Sequence, residues 1–231
     1  MTTTAVLFSG GLDSTTALAW AVRSRPRVRA LTFDYGQRHR VEIRMARSTA
    51  RRLGVPLTLL KVDLRQIGGS ALTDRTIEVP KRKRFVHGTG GPPMTYVPFR
   101  NGILLALAAA WAETIGAAEI VTGFNIIDSP DYPDPRPKFV RAMERAVNAG
   151  TRAAFGGPRL RITAPFVGKT KAEIVRIGLA LGADYSRSVS CYEGGEIPCG
   201  ACSACLLRRR AFREAGVEDP LLVRLRKEGK R

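Results

Sequence analysis

The stretch TAVLFSGGLDSTTALAW, residues 4–20, restricts the fold more than any other part of the chain. The apolar residues Ala5 to Phe8 read as a buried strand, and the run stops at Ser9, Gly10 and Gly11. A helical period restarts at Ser14, with Leu18, Ala21 and Val22 on one face. A strand that passes through two glycines into a helix suits a parallel sheet, where ligands collect beyond the carboxyl ends of the strands. Glycines let backbone N–H groups approach an anion closely, and the helix N-terminus adds partial positive charge. The lysine of the common nucleotide loop is missing, and Asp13 stands in the loop instead. Asp13 meets phosphate only through a cation such as Mg²⁺, whereas Ser14 or Thr15 can donate a hydroxyl to it directly. The loop therefore suits a pyrophosphate that departs with its metal.

The alternation continues beyond the loop. VRALTFDYG reads as a second strand, RVEIRMARSTARRLG as a helix stopped by Gly54, and PLTLLKVDL as a third strand. This rhythm predicts an α/β fold, a doubly wound parallel sheet of about five strands with helices on both faces. Residues 65–98 carry turn residues and charge with little period and read as a long loop excursion. A loop of that length is either functional or disordered. A strongly apolar helix, NGILLALAAAWAETIG, precedes a fourth strand, AEIVTGF, and an Asp/Pro-rich stretch. The helix KFVRAMERAVNAG, a fifth strand LRITAPF, the helix KTKAEIVRIGLALG and a last helix SACLLRRRAFREAG follow. The basic tail from Arg224 is expected to fray. Two units are expected: an ATP-binding α/β domain over 1–185 and a metal-binding segment with the C-terminal helix over 186–231.

All four cysteines fall in CYEGGEIPCGACSAC, as Cys191, Cys199, Cys202 and Cys205. Four thiolates at this spacing close tetrahedrally on one structural Zn²⁺, and the intervening glycines permit the turns. Redox cysteines and an iron–sulfur cluster are the alternatives, and four cysteines exceed what a redox pair needs. The charge is strongly basic, 38 Lys and Arg against 20 Asp and Glu, a net +18. Nucleic-acid contact is one explanation, yet the basic residues are dispersed along the chain and form no aromatic-interleaved stripe. No apolar run reaches the roughly 18 residues of a membrane span, and MTTTAVLF lacks the features of a signal peptide. A cytoplasmic protein without membrane contact is expected. A homodimer is also expected, although no stretch of the sequence sets the assembly.

Six segments together resemble one family. They are LFSGGLDSTTAL, FDYGQRH, YVPFRN, DYPDPRPKF, APFVGKTKAEIV and SCYEGGEIPCGACSACLLRRRAF. The first resembles the signature of the PP-loop ATP pyrophosphatases, whose fold is the adenine nucleotide alpha hydrolase type. The set as a whole is similar to the 7-cyano-7-deazaguanine synthases of the queuosine and archaeosine pathway. The resemblance implies an ATP-dependent C–N ligase acting on 7-carboxy-7-deazaguanine and ammonia. Carboxylate and amide oxygens are adenylated in turn, with Mg²⁺ accompanying ATP and Zn²⁺ in the cysteine cluster.

The resemblance also implies roles for particular residues. The window Phe8, Ser9, Gly10, Gly11, Leu12, Asp13, Ser14, Thr15, Thr16, Ala17 and Leu18 is expected at the nucleotide. Lys169 is expected to reach the polyphosphate. Arg38, His39, Arg100 and Asn101 are expected to contact nucleotide or base. Asn101 could instead cap the following helix, and His39 could be an exposed residue at a helix start. Asp134 and Arg136 carry over from the YPD-x-R stretch, which also reads as an Asp/Pro turn. Pro135 stands where the family usually has cysteine, so no catalytic thiol is available there. This departure leaves two other readings open. One is a diverged PP-loop enzyme adenylating a related acid or a tRNA base; the other is a non-catalytic nucleotide-binding zinc module.

Overall fold

The computed structural model describes residues 2–84, 90–127 and 131–230. Residues 85–89 of the excursion, 128–130 of the Asp/Pro-rich stretch and the two terminal residues lie outside that description. Five strands form one parallel sheet: β1 (Thr3–Leu7), β2 (Arg27–Asp34), β3 (Leu57–Lys61), β4 (Ala117–Val121) and β5 (Arg161–Thr163). Their order is β3-β2-β1-β4-β5. In the central strand, Val6 stands opposite Ala30 on one side and Val121 on the other. The winding reverses at β1, so a crevice opens at its carboxyl end, where the Ser9–Gly11 loop begins.

Helices cover both faces: α1 (Leu12–Ser24), α2 (Val41–Arg52), α3 (Arg100–Thr114), α4 (Pro137–Ala149), α5 (Lys171–Ala180), α6 (Ser203–Ala215) and α7 (Pro220–Lys227). On one face, Leu105, Ala108 and Ala109 of α3 and Val140 of α4 pack on Leu31, Phe33 and Ile120 of the sheet. On the other, Leu18 of α1, Ala46 of α2, Ile174 and Val175 of α5 and Phe212 of α6 pack on Val6 and Val121. Each fully buried aliphatic side chain contributes about 1.5–3 kcal/mol relative to exposure. The sheet is therefore held from both sides, and its carboxyl edge has a rigid base.

Two sequence expectations need correction. Helix α1 begins at Leu12 rather than Ser14, and Val22 turns toward solvent at 36% exposure while Leu18 and Ala21 are fully buried. The tail from Arg224 is helical in its first part rather than frayed: residues 224–227 lie in α7, which buries Leu221 and Leu225. Asp219 caps this helix by accepting the Leu221 N–H at 2.9 Å. The sequence disguised α7 because only two apolar side chains among basic ones carry its buried face.

Arg208 of α6 ties this end of the chain together. Only 4% exposed, it donates to both oxygens of Asp219, at 2.6 and 2.8 Å, and to Ser188 Oγ at 2.7 Å. Asp219→Ala is expected to cost about 3–5 kcal/mol in chemical denaturation, because the guanidinium stays buried without its counter-charge. Arg208→Met with Asp219→Leu is expected to recover much of that loss. A single replacement that leaves the midpoint unchanged would show the pair to be dispensable.

Candidate active site

A cavity of about 310 Å³ occupies the crevice at the carboxyl end of the sheet. Its floor is Leu7, Phe8, Ser9 and Gly11, and its walls come from β2, α2, α3, the segment after β4, α5 and the cysteine segment. Gly10 adopts φ +90°, and a side chain there would begin 2.5 Å from the Glu42 carbonyl, so the sharp turn demands glycine. Gly11 is the N-cap of α1 and supplies no side-chain cap, so the helix presents its first N–H groups to the cavity. Ser9 Oγ accepts the Gly11 N–H at 3.1 Å and lies 3.1 Å from Ser14 Oγ. These contacts fix the shape of the loop.

Asp13 lines the cavity from the first turn of α1. Its Oδ2 accepts from Lys171 Nζ at 2.7 Å, while Oδ1 is buried without a hydrogen-bond partner among the described residues. A buried carboxylate oxygen with no donor is an open coordination point for a hard cation. Lys171, not Lys169, is the lysine that lines the cavity. Lys169 is displaced because Thr170 forms the N-cap of α5 in a reciprocal capping box with Glu173. Lys169 thus falls outside the helix, with Nζ 3.5 Å from Glu173 and 47% of its side chain exposed, while its carbonyl accepts from Asn125.

A second polar group sits deeper. Arg100 donates to Tyr35 OH at 3.3 Å and to Asn101 Oδ1 at 3.2 Å, and it lies over the Tyr35 ring. Tyr35 OH is 3.5 Å from His39 Nε2, which is 3.7 Å from Glu42 Oε2. His39 is buried rather than exposed, and burial together with the Arg100 charge holds it down at about 3, so it is neutral. Burial likewise pushes the Tyr35 hydroxyl above its ordinary range.

The cap of α3 is also not the expected one. Asp134 Oδ2, from the Asp/Pro-rich stretch, accepts the Asn101 N–H at 3.2 Å, so Asp134 braces the helix that carries Arg100. Pro135 forms part of the cavity wall.

The cavity gathers Phe8, Ser9, Gly11, Leu12, Asp13, Ser14, His39, Arg100 and Asn101. It does not gather Gly10, Thr15, Thr16, Ala17, Leu18, Arg38, Asp134, Arg136 or Lys169. Thr16 lies 2.6 Å from Tyr185 OH in the core, and Ala17 and Leu18 pack beside it. Thr15 Oγ1 donates to the Gly11 carbonyl. Arg38 donates to the carbonyls of Asp74 and Ile77, fixing part of the excursion. Arg136 is the N-cap residue of α4. Sequence reading passed over Tyr35, Glu42 and Lys171, although all three stand inside or next to segments quoted for the resemblance. It also passed over Ser190 and Tyr192, by which the cysteine segment lines the same cavity.

The four cysteine sulfurs lie within 4.8 Å of one another. Four thiolates on Zn²⁺ stand about 3.8 Å apart, from a Zn–S bond of about 2.3 Å, so a small closure seats the ion. Backbone N–H groups already point at sulfur: Cys199 N–H donates to Cys191 and Cys202 N–H to Cys199, both at 3.3 Å. Hydrogen bonds from Cys202 and Cys205 hold the Cys191 thiol far below its usual range, and the same contacts push Cys205 up. A divalent cation removes that conflict, since every sulfur can then ionise. The donor set fits zinc.

The parallel sheet order, the uncapped glycine loop and the acid within it define an α/β protein of the PP-loop class. The solved structures agree on the fold alone. A 4-thiouridine synthetase bound to RNA and ATP superposes with TM-score 0.50 at 21% identity, covering 97% of this chain and 53% of that one. A predicted tRNA methyltransferase subunit from Methanocaldococcus jannaschii gives 0.50 at 14% identity, covering 78% and 75%. The sequence narrows the class further: residues 3–216 match the model for the queuosine biosynthesis protein QueC, and the chain belongs to that family. A relative from Anaeromyxobacter named 7-cyano-7-deazaguanine synthase is 51% identical over 219 residues, covering 94% of both chains. One of the same name from Thermoplasma acidophilum is 49% identical, covering 94% of this chain and 90% of that one. Among the described residues no helix is long and apolar enough to cross a membrane.

Proposed function

We propose that this chain converts 7-carboxy-7-deazaguanine and ammonia into 7-cyano-7-deazaguanine, spending two ATP on each nitrile. The observation that supports it best is the Asp13–Lys171 pair at the mouth of the uncapped loop, inside a cavity that also contains the half-buried Arg100. In this reading the N–H groups of the first turn of α1 hold the β- and γ-phosphates. Ser9 and Ser14 donate hydroxyls to them. Mg²⁺ arrives with ATP and would be held at Asp13 Oδ1, where it neutralises phosphate charge. Lys171 then swings from Asp13 to the polyphosphate as a point charge.

Arg100, braced by Tyr35 and by Asp134 through Asn101, orients the substrate carboxylate toward the α-phosphorus. A carboxylate is a poor electrophile because its leaving oxygen would be an oxide, and adenylation turns that oxygen into AMP. Ammonia displaces AMP to give the amide. The amide oxygen is adenylated next, and loss of a second AMP leaves the nitrile. The four cysteines hold Zn²⁺ as a closed structural site that offers no open coordination position to these steps. The expected products are AMP and pyrophosphate, with two AMP per nitrile, checked by chromatography of the nucleotides and mass analysis of the base. ADP as the sole nucleotide product would overturn α,β-cleavage, and one AMP per product would mark an enzyme that stops at the amide.

A further inference from the structure

We propose that Glu42 binds the nucleotide as a neutral carboxylic acid, donating a hydrogen bond to a phosphate oxygen seated at Gly11, so that ATP is held only while Glu42 keeps its proton. The inference rests on the reading of the loop as the ATP site. Glu42 stands in the first turn of α2 and lines the same cavity. Its Oε1 lies 3.4 Å from where a side chain on Gly11 would begin. An ionised carboxylate there would repel the phosphates that the first turn of α1 attracts. Among the described residues no lysine or arginine pairs with Glu42 and no donor bonds to its carboxyl group. His39 Nε2 stands 3.7 Å from its Oε2. A carboxyl only 12% exposed and lacking a donor is favoured in its neutral form.

The groups facing Glu42 leave it as the one that changes state. His39, in the turn before α2, stays neutral, held at about 3. Tyr35 at the end of β2 and Tyr192 of the cysteine segment are both raised by burial, and Arg100 of α3 is raised and remains cationic. Asp13 and Lys171 pair with each other at the loop mouth. Burial pushes Glu42 itself up to about 8, against the field of Arg100. Bound phosphate raises it further, so binding takes the protonated form and weakens as the free protein loses that proton.

The experiment is equilibrium binding of α,β-methylene-ATP with Mg²⁺, followed from pH 6.5 to 9 in wild type and Glu42→Gln. Wild type is expected to bind about tenfold more weakly at pH 9 than at pH 7, the slope of one proton released from a group near 8. Glu42→Gln, whose amide still donates, is expected to vary less than about twofold over the same range. A wild-type affinity that is flat overturns the proposal. One that rises with pH also overturns it and assigns Glu42 instead as an ionised cation ligand. Absence of binding by both proteins at every pH would instead bring down the ATP reading of the loop. The wild-type series decides alone if the variant folds poorly.

Discussion

Lys171→Met is expected to lower AMP release by about two to three orders of magnitude, the range seen when one preorganised charge is removed from a developing anion. Lys169→Met is expected to stay within about threefold. The two lysines are two residues apart, so the contrast tests helix register rather than local charge. Thr170 and Glu173 close the first turn of α5, which places Lys171 at the first helical position with Nζ 2.7 Å from Asp13. Lys169 is left outside against Glu173. Thermal midpoints of both variants should lie near wild type, since neither side chain is buried in the core. Steady-state AMP release at saturating substrate gives the comparison. A larger loss in Lys169→Met would assign the polyphosphate contact to the outer lysine and would break the proposed geometry.

Cys202→Ser is expected to lower the melting temperature by about 10–20 °C and to reduce bound zinc below one per chain. Structural zinc contributes several kcal/mol of folding free energy, and about 1 kcal/mol corresponds to about 2–4 °C in a chain of this size. Cys202 is fully buried, is the N-cap residue of α6, and shares a core cluster with Val189, Leu221 and Leu225. Emptying the site therefore disturbs the contact between α6 and α7 as well as the ion. Metal analysis of freshly purified protein beside a thermal melt checks both halves. A variant that keeps full zinc, or a wild type that carries none, would defeat the structural-site reading.

The sheet was legible because its strands are short apolar runs with glycine or proline between them, a pattern that packing reinforces. The anion loop was legible for the same reason, since only glycines permit its turn. The side chains that complete the cavity were not. Lys171 needed the capping box to be read as a helix start, and the Thr170–Glu173 spacing was there to be read. Glu42 needed a tertiary fact, the approach of α2 to Gly10 and Gly11. Asp134, expected as a site residue with a turn as the alternative, accepts the N–H of Asn101 in a helix that begins more than thirty positions earlier. Tyr192 followed Cys191 so closely that the metal reading absorbed it. Such assignments depend on which distant element lies opposite, and period and spacing do not carry that information.

The Gly10 carbonyl accepts a hydrogen bond from the Val189 N–H at 3.2 Å, and the Val189 carbonyl stands beside Gly11. This contact joins two residues that lie far apart in the sequence. At about 5–20 residues per second, roughly 10–40 seconds of synthesis separate the two. The nascent chain therefore carries this loop without its Val189 contact until the segment around Val189 has been made. Termination anywhere between the loop and Val189 yields a product whose loop lacks this brace.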